Sequence, residues 1–418
     1  MSKSVNFAAK LFDMEQRIID RHGYSERIER MFGKGVIIAL TGQRRVGKSC
    51  VMRYVRDRIA LNPDNNVIYI NKESTSFDEI ATYKDLDQYV LAHLVEGKHN
   101  YLFIDEVQEI KEFEKSVLSL HTEDRCQIMI TGSNAKMLSS ELSTLLRGRY
   151  VDYRVRGLSY VEFLEFHQLD DSDRALMLFL QSGGLPQLRL FGFENQDLID
   201  DYLNNVFNTI VLRDVIEREK VRNISLLRTL VKFLADNVGK VFSARSVTAF
   251  LKNQNVAASS NVILSYLEYL CNAYIIDRVS RYNIHGKRLL EMGDKFYFED
   301  LGIRNVIIGG NRRFDIEKVI ENAVYRHLVR LGYKVNVGQM YKSEIDFVAE
   351  GKDNIIYVQV AYLLQSQDTI DREFGNLMLI KDSHPKYVVS MDLLYNAVNE
   401  NGIKHIHLRD FLKKNDFS

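Results

Sequence analysis

A phosphate-binding loop is indicated by the octapeptide Gly42-Gln43-Arg44-Arg45-Val46-Gly47-Lys48-Ser49. In such a loop the two glycines let backbone amides close around phosphate oxygens, the lysine reaches the outer phosphates, and the hydroxyl binds magnesium. ATP and Mg²⁺ are therefore the predicted cofactors. The predicted nucleotide-binding residues are Gly42, Gln43, Arg44, Arg45, Val46, Gly47, Lys48, Ser49 and Cys50.

The sequence on both sides of the loop supports this prediction. Residues 36–40 form a short apolar run that favours a buried strand, and the apolar residues after Ser49 recur at helical spacing. We therefore expect the loop to join a strand to the N-terminus of a helix, where backbone N–H groups and the helix dipole attract anions. A glycine-rich turn without a ligand is the alternative, and the strand-loop-helix setting argues against it.

A pair of acids, Asp105 and Glu106, follows the apolar run 101–104. Asp105 is predicted to hold magnesium together with Ser49, and Glu106 to act as the general base that polarises the attacking water. Acidic pairs after strands are also common as solvated turns or helix caps. The upstream loop favours the catalytic interpretation, in which Lys48 and Glu106 are catalytic residues.

Further catalytic candidates follow the next strand-like run, at 127–131. Ser133 and Asn134 could sense the terminal phosphate or could cap the helix that follows. Arg147 and Arg149 are candidates for an arginine finger, which stabilises charge on the transferring phosphoryl group and can come from another subunit. Solvated or salt-bridged arginines are the alternative. A finger that acts between chains would require a homo-oligomer.

The composition is that of a globular protein with several domains. The chain has 418 residues, too many for a single hydrophobic core. Its 56 lysine and arginine residues balance 56 aspartate and glutamate residues, so no overall field attracts nucleic acid or an anionic membrane. The three cysteines lack the spacing of a metal site or a disulfide framework, and no apolar run is long enough to span a bilayer. We expect a cytoplasmic protein without membrane association.

The hydrophobic pattern changes along the chain. Up to about residue 155, β-rich runs alternate with helical stretches, which predicts an α/β domain with a parallel sheet. The pattern from 161 to 220 is almost wholly helical, three helices and β-like segments follow in 225–282, and alternation resumes after about 286. The predicted domains are an N-terminal helical segment (1–33), a P-loop ATPase domain (34–160), a helical lid or connector (161–222), a winged-helix domain (223–285) and a second α/β domain (286–418).

Seven motifs together resemble those of bacterial and archaeal AAA-type ATPases whose C-terminal half is a degenerate restriction-endonuclease-like domain. They are GQRRVGKS (42–49), FIDEVQ (103–108), ITGSNA (130–135), RGR (147–149), GLSYVEF (157–163), GGLP (183–186) and KFYFEDLG (295–302). The resemblance covers nearly the whole chain. It implies a P-loop NTPase parallel sheet, a helical lid, a winged helix and a restriction-endonuclease-like C-terminal α/β domain. Gly157 stands where proline is common in the family, and Glu299 where an apolar residue is common.

A winged helix often binds DNA through a basic recognition helix, but the expected recognition helix of this sequence is not basic. The expected recognition helix, 259–270, has no lysine or arginine and is mostly apolar, which favours packing over base reading. The wing region is more basic, so contact with a nucleic-acid backbone stays open beside a solvated hairpin. Its basic residues are Arg278, Arg281, His285, Lys287 and Arg288.

The last predicted domain lacks part of the chemistry of a magnesium nuclease. Asp346 and the upstream Glu321 match two acids of such a centre, but Gln359 stands where another acid belongs and Ala361 where the lysine belongs. Losing a ligand charge and the lysine is expected to cost many orders of magnitude in rate. A scaffold or binding role is favoured, and cleavage would require another lysine, such as Lys342, to substitute.

These features predict an ATPase that hydrolyses Mg-ATP to drive or gate a conformational switch, which the rear domains read out. Two alternatives stay open. One is an ATP-gated binding module with little turnover, and the other is a magnesium-dependent nuclease. A protein partner is expected, although the sequence does not identify it.

Overall fold

A computed structural model describes residues 20–135, 148–253, 259–290, 293–309, 315–340, 343–392 and 402–417. The chain divides into two compact units. Unit 1 comprises Met1–Arg156 and Asn272–Tyr274, and unit 2 comprises Gly157–Cys271 and Ile275–Ser418. In the described ranges, no helix is both long and apolar enough to cross a membrane.

Unit 1 is built on a parallel sheet that has five strands among the described residues. They are β1 (Ile37–Thr41), β2 (Asn65–Asn71), β3 (His99–Asp105), β4 (Gln127–Thr131) and β5 (Tyr150–Arg154). Their order in the sheet is β2-β3-β4-β1-β5. The strand runs predicted from the sequence at 36–40, 101–104 and 127–131 are confirmed. β1 is buried along its whole length, as expected for a central strand of a parallel sheet that is covered on both faces.

Helices cover this sheet and close its core. They are α1 (His22–Glu29), α2 (Lys48–Ala60), α3 (Tyr83–His93) and α4 (Phe113–Thr122). Leu86 of α3 and Val117 of α4 pack with Ile104 and Ile130 in one buried apolar cluster. Because β1, β3 and β4 are parallel neighbours, their carboxyl ends meet at one edge, where Leu40 is level with Thr131. The sheet thereby gathers the residues that follow these three strands.

Unit 2 begins with helices, which confirms the helical pattern predicted for 161–220 and the three helices predicted after it. They are α5 (Tyr160–His167), α6 (Asp173–Ser182), α7 (Gln196–Thr209), the π-helix Ile210–Glu217, α8 (Ile224–Asp236), α9 (Ala244–Asn253) and α10 (Ser260–Asn272). The later helices are α11 (Leu301–Ile308), α12 (Ile316–Arg330), α13 (Gln367–Met378) and α14 (Leu408–Phe411).

Unit 2 also contains a mixed sheet and a separate strand pair. The strands are β6 (Ile276–Val279), β7 (Arg281–Asn283), β8 (Arg288–Leu289), β9 (Lys295–Phe298), β10 (Lys334–Met340), β11 (Ser343–Glu350), β12 (Ile355–Val360), β13 (Lys386–Ser390) and β14 (Ile403–His407). The mixed sheet has the order β14-β13-β12-β11-β10-β7-β8, and β6 pairs with β9. The sheet therefore extends across residue 285, where the sequence predicts a domain boundary. Hydrophobic period does not reveal which sheet a short strand joins.

Three motifs of unit 2 that carried no derived chemistry have a structural explanation. Asp300 accepts the N–H of Gly184 at 2.8 Å and a backbone N–H in the first turn of α11 at 2.9 Å. Gly183 has φ 78°, and a Cβ there would lie 2.3 Å from Asp300 Oδ1. The N–H of Leu158 donates to the carbonyl oxygen of Gly184 at 2.7 Å. The motifs GLSYVEF, GGLP and KFYFEDLG therefore meet at a single buried junction.

Candidate functional site

The phosphate-binding loop joins β1 to α2, which confirms the predicted strand-loop-helix arrangement. Gly42 has φ 136°, and a Cβ there would lie 2.1 Å from the carbonyl oxygen of Val155, so only glycine fits. Gly47 has φ 97° and Arg45 has φ 68°. Alternation of left-handed and right-handed backbone turns successive N–H groups toward a common centre, which is a geometry that binds anions.

Lys48 is held inside this loop. Its side chain is buried, and Nζ donates to the carbonyl oxygens of Gly42 and Gln43, each at 3.0 Å. The nearest carboxylate oxygen of Glu106 lies 4.0 Å away. Carbonyl oxygens are neutral, and charged phosphate oxygens make stronger bonds to an ammonium group. A phosphate in the loop would therefore compete well for Lys48.

Ser49 and Asp105, the two predicted metal ligands, lie together. Ser49 Oγ donates to Asp105 Oδ1 at 3.0 Å, and Thr131 Oγ1 donates to the same oxygen at 2.5 Å. Burial, followed by the charge of Asp105, raises the pKa of Tyr69 to about 12, so this phenol stays protonated beside the carboxylate. A hydroxyl and a carboxylate are oxygen ligands of the kind that Mg²⁺ binds.

Glu106 adopts a left-handed backbone, with φ 54° and ψ 53°. Its N–H donates to Thr131 Oγ1 at 2.9 Å, and Gln108 Nε2 donates to its carboxylate at 2.5 Å. A non-glycine residue in this conformation costs free energy, and such strain concentrates at functional positions. Gln108 was not among the site residues predicted from the sequence. The one feature of the sequence that could have indicated Gln108 is its position two residues after Glu106, the predicted general base.

Buried polar atoms without partners surround the loop. Ser133 is fully buried, and its Oγ has no hydrogen-bond partner in the described part of the chain. Both amide atoms of the buried Gln43 are also unsatisfied there. A buried polar atom left unpaired costs about 1–3 kcal/mol, so these atoms fit a site that receives a polar ligand. Asn134 is buried beside them, and residues 136–147, where the alternative helix cap would act, lie outside the described ranges.

Arg149 lies beside the amino-terminal end of β1, whereas the phosphate-binding loop of the same chain follows the carboxyl-terminal end. Its carbonyl accepts the N–H of Ile37 at 2.8 Å, and its guanidinium donates to Thr122 Oγ1 at 3.3 Å. Ile37 begins β1, whereas the loop follows the other end of β1, roughly 13 Å away at about 3.3 Å per residue. Arg149 could therefore act as an arginine finger only on the phosphate-binding loop of a neighbouring copy of the chain. The other candidate, Arg147, lies outside the described residues.

Arg21 is a contact of the loop that the sequence did not indicate. Its buried guanidinium donates to the carbonyl oxygens of Val46 at 3.1 Å and Arg156 at 2.7 Å. It therefore fastens the loop to the chain that leaves β5. A single arginine far upstream gives no sequence signal for such a role. Cys50, the last predicted nucleotide-binding residue, is exposed at the start of α2.

The nuclease-like residues of unit 2 also lie together. Asp346 accepts a backbone N–H from β12 at 2.8 Å, and its own N–H donates to Gln359 Oε1 at 3.3 Å. The carboxylate of Glu321 is nearby, and both acids surround Lys295, a residue that the sequence analysis did not assign to this centre. Lys342, the suggested substitute lysine, lies outside the described residues.

Two of the basic residues predicted for the wing are already engaged. Arg278 pairs with Asp294 at 2.5 Å, and Arg281 donates to Gln339 in the mixed sheet. Asp294 therefore partly neutralises the charge of Arg278, whereas Arg281 is hydrogen bonded to a neutral amide. Lys287 and Arg288 are exposed.

Residues 34–164 match the AAA domain family, and residues 173–313 match a domain of unknown function (DUF8612). An uncharacterized protein of Haemophilus influenzae is 32% identical over 406 residues, covering 96% of this chain and 100% of that protein. An uncharacterized protein of Methanocaldococcus jannaschii is 28% identical over 345 residues, covering 78% of this chain and 75% of that protein. A Walker-type ATPase of Pyrococcus abyssi is structurally similar, with a TM-score of 0.47 and 14% identity, covering 69% of this chain and 95% of that one. The chain therefore belongs to the family of the Haemophilus influenzae protein, and its residues 34–164 form an AAA domain of the P-loop ATPase type.

Proposed function

We propose that this protein hydrolyses Mg-ATP and uses the turnover to drive or gate a conformational switch. The observation that carries the proposal is the convergence of four groups at one edge of the unit 1 sheet. They are the Lys48 ammonium, the Ser49–Asp105 pair, the strained Glu106 and the unsatisfied hydroxyl of Ser133. Each group matches one need of phosphoryl transfer to water.

Each residue has a role in this proposal. Loop N–H groups and Lys48 bind the outer phosphates, and the Ser133 hydroxyl bonds to the terminal phosphate. Ser49 and Asp105 would hold Mg²⁺, which supplies positive charge that neutralises phosphate oxygens. Glu106 takes the proton of the attacking water. Thr131 fixes both acids at once, because its hydroxyl donates to Asp105 and accepts the N–H of Glu106.

Phosphate release by the full chain tests this proposal. Glu106→Gln removes the base but keeps the size of the side chain, so we expect kcat to fall by about 100-fold or more while ATP affinity is retained. Glu109→Gln is the matched control, because Glu109 is an exposed acid on the same short turn. Equal rates for the Glu106 variant and the parent would contradict the proposal, as would absence of turnover in the parent.

An ATP-gated binding module is the second candidate. It is favoured by the contacts that hold the Glu106 carboxylate in place. Gln108 Nε2 donates to one of its oxygens at 2.5 Å, and Lys48 Nζ lies 4.0 Å from the other. A base held in this way is consistent with slow turnover. In that case, ATP-dependent capture of a partner protein would survive Glu106→Gln and would be lost in Lys48→Ala. Loss of capture in both variants would instead favour a role for hydrolysis.

The rear domains complete the proposal. We propose that a winged-helix region at 223–285 and a degenerate nuclease-like region at 286–418, which share the mixed sheet across residue 285, read out the nucleotide state. The helices α8 to α10 followed by β6 support the first, and the acids Glu321 of α12 and Asp346 of β11 support the second. Contact with nucleic acid through Lys287 and Arg288 is part of this proposal. So is a cytoplasmic location, which agrees with the thiols of Cys50 and Cys126, neither of which forms a disulfide.

A further inference from the structure

A buried lysine lies among three carboxylates in unit 2. Lys295 begins β9 and is 2% exposed. Its Nζ lies 2.8 Å from an oxygen of Glu344, 3.4 Å from Glu321 and 3.9 Å from Asp346. Glu321 belongs to α12 and the other two acids to β11. Three elements of the fold thus enclose one ammonium group.

The three Nζ–oxygen distances exceed those of a bound metal ion, and the 2.8 Å distance to Glu344 is that of a charge-assisted hydrogen bond. Charge-assisted N–H···O bonds are about 2.7–2.9 Å long, whereas Mg²⁺ and Ca²⁺ lie about 2.0–2.6 Å from their oxygen ligands. Within the described ranges, no three acidic, histidine or cysteine side chains are placed to hold a metal ion. The ammonium stands where a cation would have to lie in order to bridge these carboxylates.

The other groups around the cluster are either engaged or negative. Gln359 uses its carbonyl oxygen to accept the N–H of Asp346, and the hydroxyl of Tyr297 donates to Glu321 at 2.7 Å. Burial, and then the charges of Glu321 and Glu373, raise the pKa of Asp346. Glu321 and Asp346 therefore repel each other when both are ionised, and a cation between them relieves that repulsion.

Lys295 keeps its proton in this environment. Burial acts to lower its pKa, but the charges of Glu321, Asp346 and Glu344 outweigh burial, and the pKa is raised. The cluster thus contains a fixed positive charge.

We propose that Lys295 is an internal cation that takes the place of a divalent metal ion in the Glu321–Glu344–Asp346 cluster. The centre is consequently closed to Mg²⁺ and does not support metal-dependent phosphodiester cleavage. The same geometry makes it a latent site. Removing the ammonium would leave three carboxylates that reach metal-ligand distances of about 2.0–2.6 Å after shifts of about 0.2 to 1.9 Å.

Mn²⁺ binding to the full, nucleotide-free chain tests this proposal, with the free ion followed by electron paramagnetic resonance. We expect Lys295→Met to gain one Mn²⁺ site per chain, with an affinity at least about tenfold above that of the parent. Adding Asp346→Asn to the variant should abolish the gain. Lys318→Met, which removes a more exposed lysine of unit 2, should behave as the parent. Binding at Ser49 and Asp105 is common to all four proteins and cancels.

Two results would overturn the proposal. One is a parent chain that already binds Mn²⁺ at a site lost in Asp346→Asn, or that cleaves DNA with Mn²⁺ in an Asp346-dependent way. The other is a folded Lys295→Met variant that gains no Mn²⁺ site, with folding checked by circular dichroism and by thermal unfolding. The comparison of the parent with Asp346→Asn does not involve Lys295→Met. It can therefore contradict the proposal even if Lys295→Met does not fold.

Discussion

Lys48 in unit 1 and Lys295 in unit 2 are both buried lysines beside acidic side chains, yet their partners differ. Lys48 donates to two backbone carbonyls and stands 4.0 Å from the nearest oxygen of Glu106. Lys295 lies within 3.9 Å of three carboxylates. Neutral carbonyls can give way to a phosphate oxygen, whereas three carboxylates already exceed the charge of one ammonium. A buried lysine is therefore a binding group in the first setting and a structural cation in the second.

The surroundings of the two lysines show the same difference. Near Lys48, the hydroxyl of Ser133 and the amide of Gln43 have unsatisfied buried atoms within the described residues. Near Lys295, the side chains of Tyr297 and Gln359 are hydrogen bonded within the cluster. A site that binds a ligand has polar groups whose hydrogen bonds are completed by the ligand. In a structural cluster, the polar groups are hydrogen bonded to each other. Methionine substitution of each lysine separates the two roles.

The largest effect is expected from Lys48→Met. Without the ammonium, the outer phosphates lose their main protein cation, and kcat/KM for ATP should fall by about 10³-fold. The free energy of unfolding should change by only about 1 kcal/mol, because the lost bonds are to neutral carbonyls. Phosphate release and denaturant unfolding measure the two quantities. Hydrolysis within tenfold of the parent would show that Lys48 is not a phosphate ligand.

Lys295→Met should have the opposite profile. It leaves three buried carboxylates without their cation, and breaking a buried ion pair in this way costs about 3–5 kcal/mol. We expect that loss in the unfolding transition of unit 2, with nucleotide affinity within twofold of the parent. Lys318→Met, at a partly exposed lysine paired with Asp236 and Asp315, should cost about 1 kcal/mol or less. If both substitutions cost the same, the comparison between the two lysines fails.

The loss of stability in Lys295→Met should depend on pH. Burial raises the pKa of both Glu321 and Asp346, and the charge of Lys295 opposes the rise. An acid whose folded pKa is raised contributes stability at pH values below its unfolded pKa, and that stability is lost as the pH rises through the folded value. Removing Lys295 raises both values further.

The destabilisation by Lys295→Met should therefore grow with pH. Between about pH 5 and about pH 8 we expect an increase of about 2 kcal/mol, measured as the difference in unfolding free energy between variant and parent. Lys48→Met should show no such trend, since Lys48 is held by carbonyls. A penalty for Lys295→Met that is independent of pH would mean that removing Lys295 does not change the protonation of these acids in the folded state over this range.

The phosphate site could be predicted because its parts are local in sequence. The loop is one octapeptide, and Asp105 and Glu106 are adjacent residues at the end of an apolar strand. The parallel arrangement then brings the carboxyl ends of β1, β3 and β4 together without further information. The five strands were predictable for the same reason, since each is a short apolar run between helical stretches.

The contacts that the sequence did not reveal join distant segments. Lys295 meets Glu344, 49 residues later (344 − 295), only because β9, α12 and β11 pack together. Arg21 meets the carbonyl of Val46, and no pattern distinguishes it from a surface arginine. Arg149 was a finger candidate by type and position, but the sequence could not say at which edge of the sheet it lies. Such contacts depend on tertiary packing and not on local period.

The smallest effect is expected from Gln108→Leu, which tests what Gln108 does to Glu106. We expect the hydrogen bond from Gln108 to orient the base, so its loss should lower kcat about tenfold while KM for ATP changes little. Gln127→Leu is the matched control, because Gln127 lies at the other end of β4 and accepts the N–H of Gly33. A rise in kcat would show instead that Gln108 restrains Glu106, as an ATP-gated binding module requires. An unchanged kcat would mean that Glu106 is held in place by its backbone bond to Thr131 alone.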